Sequence, residues 1–549
     1  MTLAAFFESL PEKQRNLQLG MICDDPISGG AFPHKRVVHA GGLNGTLVSP
    51  KETQHVWQTV MNGEASKGQM QSAYIHIPFC KTKCTYCGFF QNGTSQNVED
   101  TYIDGLIGEL QAASECKRLK DGLIHALFIG GGTPTSLSPE NSKRLLQAIR
   151  DYLPLANDYE LTLEGRIHDL IPENLDVWMS HGVNRMSIGV QSFNTEVRQM
   201  VGRLDDRETV LKRLADVKAY GQCSLVIDLI YGLPGQTMEV WEDDLAQLVS
   251  SGVDGADLYQ LNVFDGSDLN RDIANGKVPP AATTAMQSDM FTFGRDYLEK
   301  RAYRRLSAAH WSANNRERSL YNILAKAGVP MFPFGSGAGG NIDGYGMMLH
   351  RALKPYEDMV SRGEKPFMAL MKQSELQPIV NVVVSQLEQG FLNIDDLVTM
   401  DPPRLKELCW LYDIWRERGL VTYNGILYRL TTAGEFWTVN ITQSTLEVVE
   451  YIMTGRNSFA LESVAAQDTK TRSKTAPAQE VRGIGQGKEN VSVPTGENEE
   501  AKRKDALIAK AKAEIAKSGS SGESAERMAQ AMYNLSADEI EYMMERMMS

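Results

Sequence analysis

Short apolar runs alternate with longer amphipathic stretches between about residues 72 and 264. Six runs have the β-branched and aromatic content of strands: AYIHIP (73–78), HALFIGG (125–131), YELTLEG (159–165), RMSIGV (185–190), SLVIDLIYG (224–232) and ADLYQLNVF (256–264). The stretches between them, such as Val98–Arg118, Glu140–Tyr152 and Val240–Ser250, have helical spacing of apolar positions. Strands that alternate with helices predict a parallel sheet. Six such units predict an α/β fold built on an incomplete (β/α)6 barrel, with its chemistry at the carboxyl ends of the strands.

The pattern changes after residue 300. A basic segment, Arg301–Arg305, precedes the glycine-dense run FGSGAGGNIDGYG (334–346), which predicts either a lid or a mobile surface loop. Two helices, Asp395–Val398 and Pro402–Arg418, then precede two short strands around Asn424-Gly425, and Asn-Gly between strands is a hairpin signal. Helix, helix and hairpin form the outline of a winged helix.

The C-terminal part has a different composition. Few aromatic residues occur between about 463 and 500, which predicts a disordered linker. Two charged helices are predicted beyond it, over Glu499–Ala516 and Ala525–Met548. The predicted organisation is therefore an N-terminal segment (1–70), a partial barrel (71–300), a substrate-side extension (301–378), a winged-helix-like module (379–440), a linker (441–500) and a helical tail (501–549).

Composition narrows the class of protein. The 549 residues are 42% hydrophobic and 23% charged, which is typical of a soluble globular protein. The sequence has no apolar run long enough for a transmembrane helix and no secretory signal pattern, so we expect a cytoplasmic protein without membrane contact. The net charge of −13 argues against nucleic-acid binding, which requires clustered basic residues.

Three of the seven cysteines lie within eight residues, in YIHIPFCKTKCTYCGFF (74–90). An odd total with one cluster predicts a metal site and buried thiols, since a disulfide framework needs pairs. Thiolates in a C-x3-C-x2-C spacing, at Cys80, Cys84 and Cys87, can bind three irons of a [4Fe–4S] cubane and leave the fourth iron open. Zinc is the alternative, but a structural zinc site needs four ligands. His76, on the predicted strand, is a poor candidate for the fourth ligand.

With its lead-in Tyr74-x-His76-Ile77-Pro78-Phe79-Cys80, this motif resembles the radical SAM (S-adenosylmethionine) superfamily. The branch it resembles contains oxygen-independent coproporphyrinogen III dehydrogenase, the haem chaperones and the anaerobic haem-degrading enzymes, and the resemblance extends over residues 72 to about 440. It implies a [4Fe–4S] cluster whose open iron binds SAM, and one electron then splits SAM into methionine and a 5′-deoxyadenosyl radical. One or two SAM molecules are implied.

The resemblance also implies roles for further residues. Tyr74 is the expected catalytic residue. The expected cofactor-binding residues are Tyr86, Gly131, Gly132, Thr133, Glu164, Gln191, Arg203 and Asp228. Several of them have an ordinary alternative: a strand-end turn for the glycine run, a solvated acid for Glu164, and a structural ion pair for Arg203 with Asp228.

One position departs from the pattern of the coproporphyrinogen dehydrogenases, and this difference bears on the substrate. The coproporphyrinogen dehydrogenases typically carry a further cysteine where this chain has Phe89, whereas the haem-degrading and chaperone families lack it. The sequence most resembles the haem-utilisation branch, which implies anaerobic haem degradation by methyl transfer, ring opening and iron release. Oxidative decarboxylation of coproporphyrinogen III and a haem-chaperone role are the alternatives. The expected partners are haem or a related tetrapyrrole, a flavodoxin-like electron donor, and a haem carrier or reductase. A lone histidine is more often an ordinary packed or solvated residue than a ligand, and among the nine histidines His310 is the best single candidate for a haem ligand.

Overall fold

The computed structural model describes residues 2–36, 45–65, 68–88, 92–93, 95–401, 403–457 and 496–517, with residues 532, 540, 543 and 544. These residues form a thirteen-stranded sheet, a three-stranded sheet and the helices that cover them. No helix in these ranges is long and apolar enough to cross a membrane.

The strands, in chain order, are β1 (Thr46–Leu47), β2 (Gln71–Ile77), β3 (Ile124–Gly131), β4 (Leu155–Arg166), β5 (Arg185–Gln191), β6 (Ser224–Tyr231), β7 (Gly255–Gln260), β8 (Arg304–Arg305), β9 (His310–Ser312), β10 (Met331–Phe334), β11 (Gly339–Ile342), β12 (Tyr345–Leu349), β13 (Phe367–Lys372), β14 (Phe391–Leu392), β15 (Val421–Tyr423) and β16 (Tyr428–Leu430).

The α-helices are α1 (Leu3–Ser9), α2 (Glu12–Leu19), α3 (Thr53–Asn62), α4 (Gln96–Ser114), α5 (Lys117–Asp121), α6 (Pro139–Tyr152), α7 (Pro172–Ser180), α8 (Thr195–Met200), α9 (Arg207–Tyr220), α10 (Met238–Ser251), α11 (Asp268–Ala274), α12 (Thr284–Glu299), α13 (Leu320–Lys326), α14 (Leu353–Ser361), α15 (Gln377–Glu388), α16 (Ile394–Val398), α17 (Leu408–Glu417), α18 (Thr432–Phe436), α19 (Thr438–Thr454) and α20 (Gly496–Lys517).

Strands β2 to β7 lie side by side in chain order, and every neighbouring pair is parallel. They coincide with the six predicted runs, so the predicted parallel α/β sheet is confirmed. The count of six was incomplete, because β10 adds a further parallel strand beside β2. Strands β11, β12, β13 and β1 continue the sheet in antiparallel order beyond β10, and β9 and β8 do so beyond β7.

The glycine-dense run is a structural hairpin. The prediction of a lid or a mobile loop for residues 334–346 was wrong, because this segment ends β10, forms β11 and begins β12. Strand β11 is hydrogen-bonded to β10 and β12, and β12 is also bonded to β13. Glycine content suggested a loop, but the ladders on both sides satisfy the backbone groups.

A second apolar core joins the N-terminal segment to residues between 379 and 449. It contains residues of the N-terminal segment, such as Phe7, together with residues of α15, α17 and α19. Helices α16 and α17 and the β15–β16 hairpin lie where the two helices and the hairpin of the winged-helix-like module were predicted. Strands β14, β16 and β15 form its small sheet.

Helix α19 corrects the predicted linker. The linker was placed from residue 441, but residues 438–454 form a helix that is buried on most sides. Its polar residues hid it in the sequence. Two of them have partners inside the core: Asn440 accepts from the Arg36 backbone N–H at 3.0 Å, and the Thr445 and Tyr412 hydroxyls are 3.0 Å apart. A buried polar residue is tolerated where it has such a partner.

Much of the predicted linker and tail lies outside the described residues. Helix α20 overlaps the first predicted tail helix. The predicted disorder between 463 and 495 falls outside the described ranges, as does most of the second tail helix. Of that helix the structure describes Met532, Ile540, Met543 and Met544, which are buried in a small apolar cluster with Leu47.

Candidate active site

The three clustered cysteines lie on the loop that follows β2, at the carboxyl edge of the parallel sheet. Cys80 and Cys84 are buried and Cys87 is half-buried. The Cys87 backbone N–H donates to the Cys84 carbonyl at 3.1 Å, so the last two cysteines share a tight turn. Thr85, between them, donates from its N–H to the Val201 carbonyl at 3.3 Å. Neighbouring strand-end loops therefore hold the cysteine loop in place.

A hydroxyl and a guanidinium lie beside the first cysteine. The Cys80 sulfur is 3.3 Å from Thr133 Oγ1, and Arg166 Nη2 donates to it at 3.5 Å. Arg166 also donates to the Thr82 carbonyl at 2.7 Å, which fixes the guanidinium against the loop. Burial raises the pKa of Cys80, while Thr133 and Arg166 oppose that rise. A thiolate, as a cluster ligand must be, is favoured by such neighbours.

The cysteine motif is compatible with a cubane cluster or with a single zinc ion, and the two make different demands on the ligands. Within the described residues, no group of three or more His, Cys, Asp or Glu side chains is placed to hold one metal ion. A cubane has a different requirement, because each thiolate binds an iron of its own. His76, considered as a fourth zinc ligand, has its Nδ1 3.0 Å from the Tyr74 hydroxyl.

The predicted glycine run forms a turn after β3 that packs on the cysteine loop. Gly132 and Thr133 donate their N–H groups to the carbonyls of Ile77 and Phe79, each at 2.7 Å. A Cβ at Gly132 would lie 2.3 Å from the Phe79 oxygen, so only glycine allows this approach. The turn therefore links the β3 strand end to the segment that carries Cys80.

Glu164 lies at the end of β4, beside this turn. Its Oε2 accepts the Gly131 N–H at 3.1 Å. Burial raises the pKa of Glu164 to about 7, although the Gly131 hydrogen bond, Arg166 and Arg203 oppose the rise. Since burial dominates, the structure does not support the alternative of a solvated strand-end acid.

Gln191 and Arg203 come together over the backbone of Gly189. A Cβ there would lie 2.6 Å from Gln191 Nε2 and 3.0 Å from Arg203 Nη2. Gln191 has a positive φ of 71°, a strained conformation for a residue with a side chain. Arg203 donates to the Tyr86 hydroxyl at 2.8 Å, which ties it to the cysteine loop. Gln191 Oε1 and Arg203 Nε are buried without a hydrogen-bond partner among the described residues. Such orphaned polar atoms fit a site that binds a polar cofactor.

Asp228 projects from the middle of β6. Ser187 Oγ donates to its Oδ1 at 3.4 Å. Burial, and then the charges of Asp257 and Glu164, raise the pKa of Asp228 to about 7. The described residues contain no ion pair between Asp228 and Arg203, so the proposed structural alternative for these two residues is not observed.

Tyr74 lies on β2 inside the same barrel. Its ring packs near those of Phe128 and Tyr321, with centroids 6.3 and 6.4 Å away. Burial raises the pKa of its hydroxyl well above the usual value, so the phenol is protonated. A catalytic role for Tyr74 stays a prediction.

The structure supports the alternative for His310, an ordinary packed residue, over the role of a haem ligand. Its Nδ1 is 3.0 Å from Asp257 Oδ2 and its Nε2 is 3.1 Å from Glu317 Oε1. Both ring nitrogens therefore have carboxylate partners, and the side chain is 1% exposed. No nitrogen is left for a metal.

Sequence reasoning missed two groups at the site. Arg166, beside Cys80, could have been found, because it stands two residues after Glu164 at the same strand end. Asp257, which faces Asp228 in the β6–β7 register, gave no signal beyond its place in a predicted strand. The site therefore contains more charge than the motifs indicated.

Known proteins share both the sequence pattern and the fold. Residues 74–248 match the family model described as the radical SAM superfamily. Over 406 residues the chain is 36% identical to anaerobilin synthase of Escherichia coli O157:H7. The aligned region covers 74% of this chain and 90% of that protein. The chain belongs to the radical SAM superfamily. The predicted family, fold class and cofactors, a [4Fe–4S] cluster and SAM, are thereby confirmed.

Other relatives place this radical SAM enzyme in a haem-related branch. It is 34% identical over 275 residues to heme chaperone HemW of Lactococcus lactis, covering 50% of this chain and 70% of that protein. The solved structure of coproporphyrinogen III oxidase (HemN) from Escherichia coli has a TM-score of 0.63 at 22% identity, over 73% of this chain and 96% of that chain. At that identity the likeness shows a shared fold. Phe89, the departure used to separate these families, lies outside the described residues.

Proposed function

We propose that this radical SAM enzyme degrades haem without oxygen, transferring a SAM-derived methyl carbon, opening the macrocycle and releasing iron. The observation that carries the proposal is the 36% identity to anaerobilin synthase, which extends over 90% of that protein. The similarity thus includes the parts outside the barrel that would recognise a substrate.

Cys80, Cys84 and Cys87 are the proposed cluster ligands. When bound, the cluster supplies the electron that splits SAM, and that chemistry belongs to the cofactors. The chain's own contribution is to hold the thiols on a loop anchored by neighbouring strand ends. Arg166, 3.5 Å from the Cys80 sulfur, adds a positive charge that stabilises the thiolate.

The proposed SAM site is the ring of groups around the cysteine loop. Glu164 and Asp228 are carboxylates that can accept hydrogen bonds from an ammonium or from ribose hydroxyls. Arg203 and Gln191, with their orphaned buried atoms, can hold a carboxylate or a hydroxyl. Tyr86, Gly131, Gly132 and Thr133 complete the proposed contacts.

Tyr74 and the partners are proposed on the family resemblance. The Tyr74 hydroxyl, 3.0 Å from His76 Nδ1, is proposed to donate a hydrogen bond inside the barrel. A flavodoxin-like protein is the proposed electron donor. A haem carrier or a reductase is the proposed further partner.

The test is anaerobic incubation of the reconstituted enzyme with haem, SAM and a low-potential reductant, followed by mass spectrometry of the pigments. We expect 5′-deoxyadenosine and a linear, methylated tetrapyrrole. Cys84→Ala should abolish both products. Cys116→Ala, which removes a thiol outside the site, is the matched control and should retain them. Intact haem after many turnovers of SAM would reject the proposed function.

A haem chaperone is the second candidate, because the chain is also similar to HemW. In that case the protein would bind haem in a fixed ratio and pass it to an acceptor without opening it. The same incubation separates the two, since a chaperone would return haem of unchanged mass. Coproporphyrinogen decarboxylation is supported only by the fold, and conversion of added coproporphyrinogen to protoporphyrinogen would be its signature.

A further inference from the structure

A cavity of about 460 Å³ lies at the carboxyl ends of β6 and β7, between the barrel and the C-terminal module, which we define as helices α15 to α19 with strands β14 to β16. Its aromatic lining comes from both sides: Tyr231 and Tyr259 from the barrel strands, Phe291 from α12 and Phe436 from α18. A concave space with aromatic walls is the usual form of a site for a flat organic ligand. Asp257 also lines it and is the register partner of Asp228, so the cavity adjoins the proposed SAM site.

The carboxylates of this cavity already have cationic partners. Glu388 pairs with Lys326 at 2.8 Å. Glu435 pairs with Arg295 at 2.8 Å and with Arg305 at 2.5 Å. The acidic groups in the wall are therefore compensated by protein side chains.

Lys35 is different. Its ammonium lies 3.5 Å from the centroid of the Phe436 ring and 5.7 Å from that of Trp437. The ion pairs of the described residues include none to Lys35, and burial lowers the pKa of its amine well below the usual value. A buried cation held only by aromatic faces is costly, and an anion placed beside it would remove that cost.

We propose that Lys35 binds a carboxylate of the substrate, a peripheral propionate of the tetrapyrrole, while the macrocycle packs against the aromatic walls. This inference rests on the proposed function and adds a specificity residue to it. The N-terminal segment thereby becomes part of the substrate site, although Lys35 lies 45 residues before Cys80 in the sequence.

The test compares haem with haem dimethyl ester, which lacks both propionate charges, on the reconstituted holoenzyme. The variants are Lys35→Met and Lys35→Gln, which remove the charge, and Lys35→Arg, which keeps it. Lys212→Met, at an exposed lysine paired with Asp216, is the control for net charge. Affinity is measured by absorbance titration, and haem-independent formation of 5′-deoxyadenosine reports whether the SAM site is intact.

We expect the wild type to prefer haem over its ester by about tenfold or more, as a charge-assisted contact would give. Both neutral variants should lose that preference while SAM cleavage without haem is kept. Lys35→Arg and Lys212→Met should retain it. If either neutral variant that still cleaves SAM prefers haem as strongly as the wild type, the role of Lys35 is rejected and the proposed function stands. If the wild type cleaves SAM but binds no haem, the proposed function fails and this inference with it.

Discussion

Glu164 and Asp228 are two carboxylates inside one barrel, and burial raises the pKa of each to about 7. The charge of Glu164 also raises the pKa of Asp228, whereas Arg166 and Arg203 lower the pKa of Glu164. Near neutral pH such a pair is only partly ionised in the cofactor-free protein. A bound ammonium or hydroxyl donor would favour the ionised forms, so SAM binding should release protons.

The first prediction concerns Glu164→Gln. The SAM dissociation constant of the wild type should rise as pH falls below about 7, because the carboxylates must first lose protons. Glutamine keeps an acceptor for the Gly131 N–H but cannot titrate. As pH falls, the dissociation constant of the variant should therefore rise less steeply than that of the wild type, by up to about tenfold less per pH unit. Asp228 should supply the pH dependence that remains. Calorimetric titration between pH 5.5 and 8.5 measures this, and equal slopes in both proteins would contradict it.

His310 belongs to a buried charge network that joins four neighbouring strands. It lies between Asp257 and Glu317, and Arg185 Nε donates to Glu317 at 3.1 Å. Ser224 Oγ also donates to Glu317, at 2.8 Å. The pKa of His310 is raised to about 9: burial opposes the charge, but the two carboxylates outweigh it. The imidazolium therefore stabilises the edge where β9 closes on β7.

The second prediction is a pH-dependent loss of stability in His310→Gln. The stabilisation by His310 is fully present below its unfolded pKa, about 6.5, and is lost as pH rises through about 9. At pH 6 the variant should be less stable by about 3 kcal/mol, and the difference should shrink above pH 9. Melting temperatures from pH 6 to 10 test this, with His55→Gln at an exposed position as the control. A constant difference across that range would be the contrary result.

The long central strands were predictable because they are buried on both faces. Seven of the eight residues of β6 are buried, and six of the eight are apolar, so its sequence is an almost unbroken apolar run. Strand β10 has only four residues, one of them proline, and no pattern that short separates strand from loop. The cysteine spacing identified the cluster loop for the opposite reason, because its ligands are local in sequence. The His310 network could not be predicted, since its partners Arg185 and Glu317 are 132 residues apart.

The turn after β10 shows why the glycine run is structural. Gly335 has a φ of +88°, and a Cβ there would lie 2.5 Å from the His76 oxygen and from the Tyr102 hydroxyl. Gly344, in the β11–β12 turn, has a φ of +77° but nothing within 4 Å of its Cβ position. The two glycines thus share backbone strain and differ in available space.

The third prediction uses this matched pair. Gly344→Ala should cost about 1 kcal/mol of unfolding free energy, from the positive φ alone. Gly335→Ala should cost about 3 kcal/mol or more, because it must also displace the backbone of His76, four residues before Cys80. We expect its [4Fe–4S] content after reconstitution to fall as well. Chemical denaturation and iron analysis measure both effects, and equal losses in the two variants would refute the steric argument.

At the scale of the whole molecule, the N-terminal segment is a structural part of the C-terminal module. Trp415 Nε1 donates to the Leu19 carbonyl at 3.1 Å, and Trp437 Nε1 donates to the Pro26 carbonyl at 2.8 Å. The sequence could not show this, because the two segments are about 400 residues apart and neither has a motif. The same contacts place Lys35 against Phe436, which connects this packing to the proposed substrate cavity.

The fourth prediction tests that connection through Glu447 on α19. Its carboxylate accepts from Arg36 Nη1 at 3.1 Å and from Gln18 Nε2 at 2.5 Å, all within the buried interface. Glu447→Ala removes the carboxylate that compensates the Arg36 charge there, and breaking such a pair costs about 3 to 5 kcal/mol. Because the interface also positions Lys35, we expect faster tryptic release of the N-terminal segment and weaker haem binding, with SAM cleavage retained. Asp216→Ala, at an exposed ion pair with Lys212, should change stability by less than about 1 kcal/mol and leave both unchanged. If Glu447→Ala resists trypsin as the wild type does, the buried pair does not hold the segment, and its link to the cavity fails.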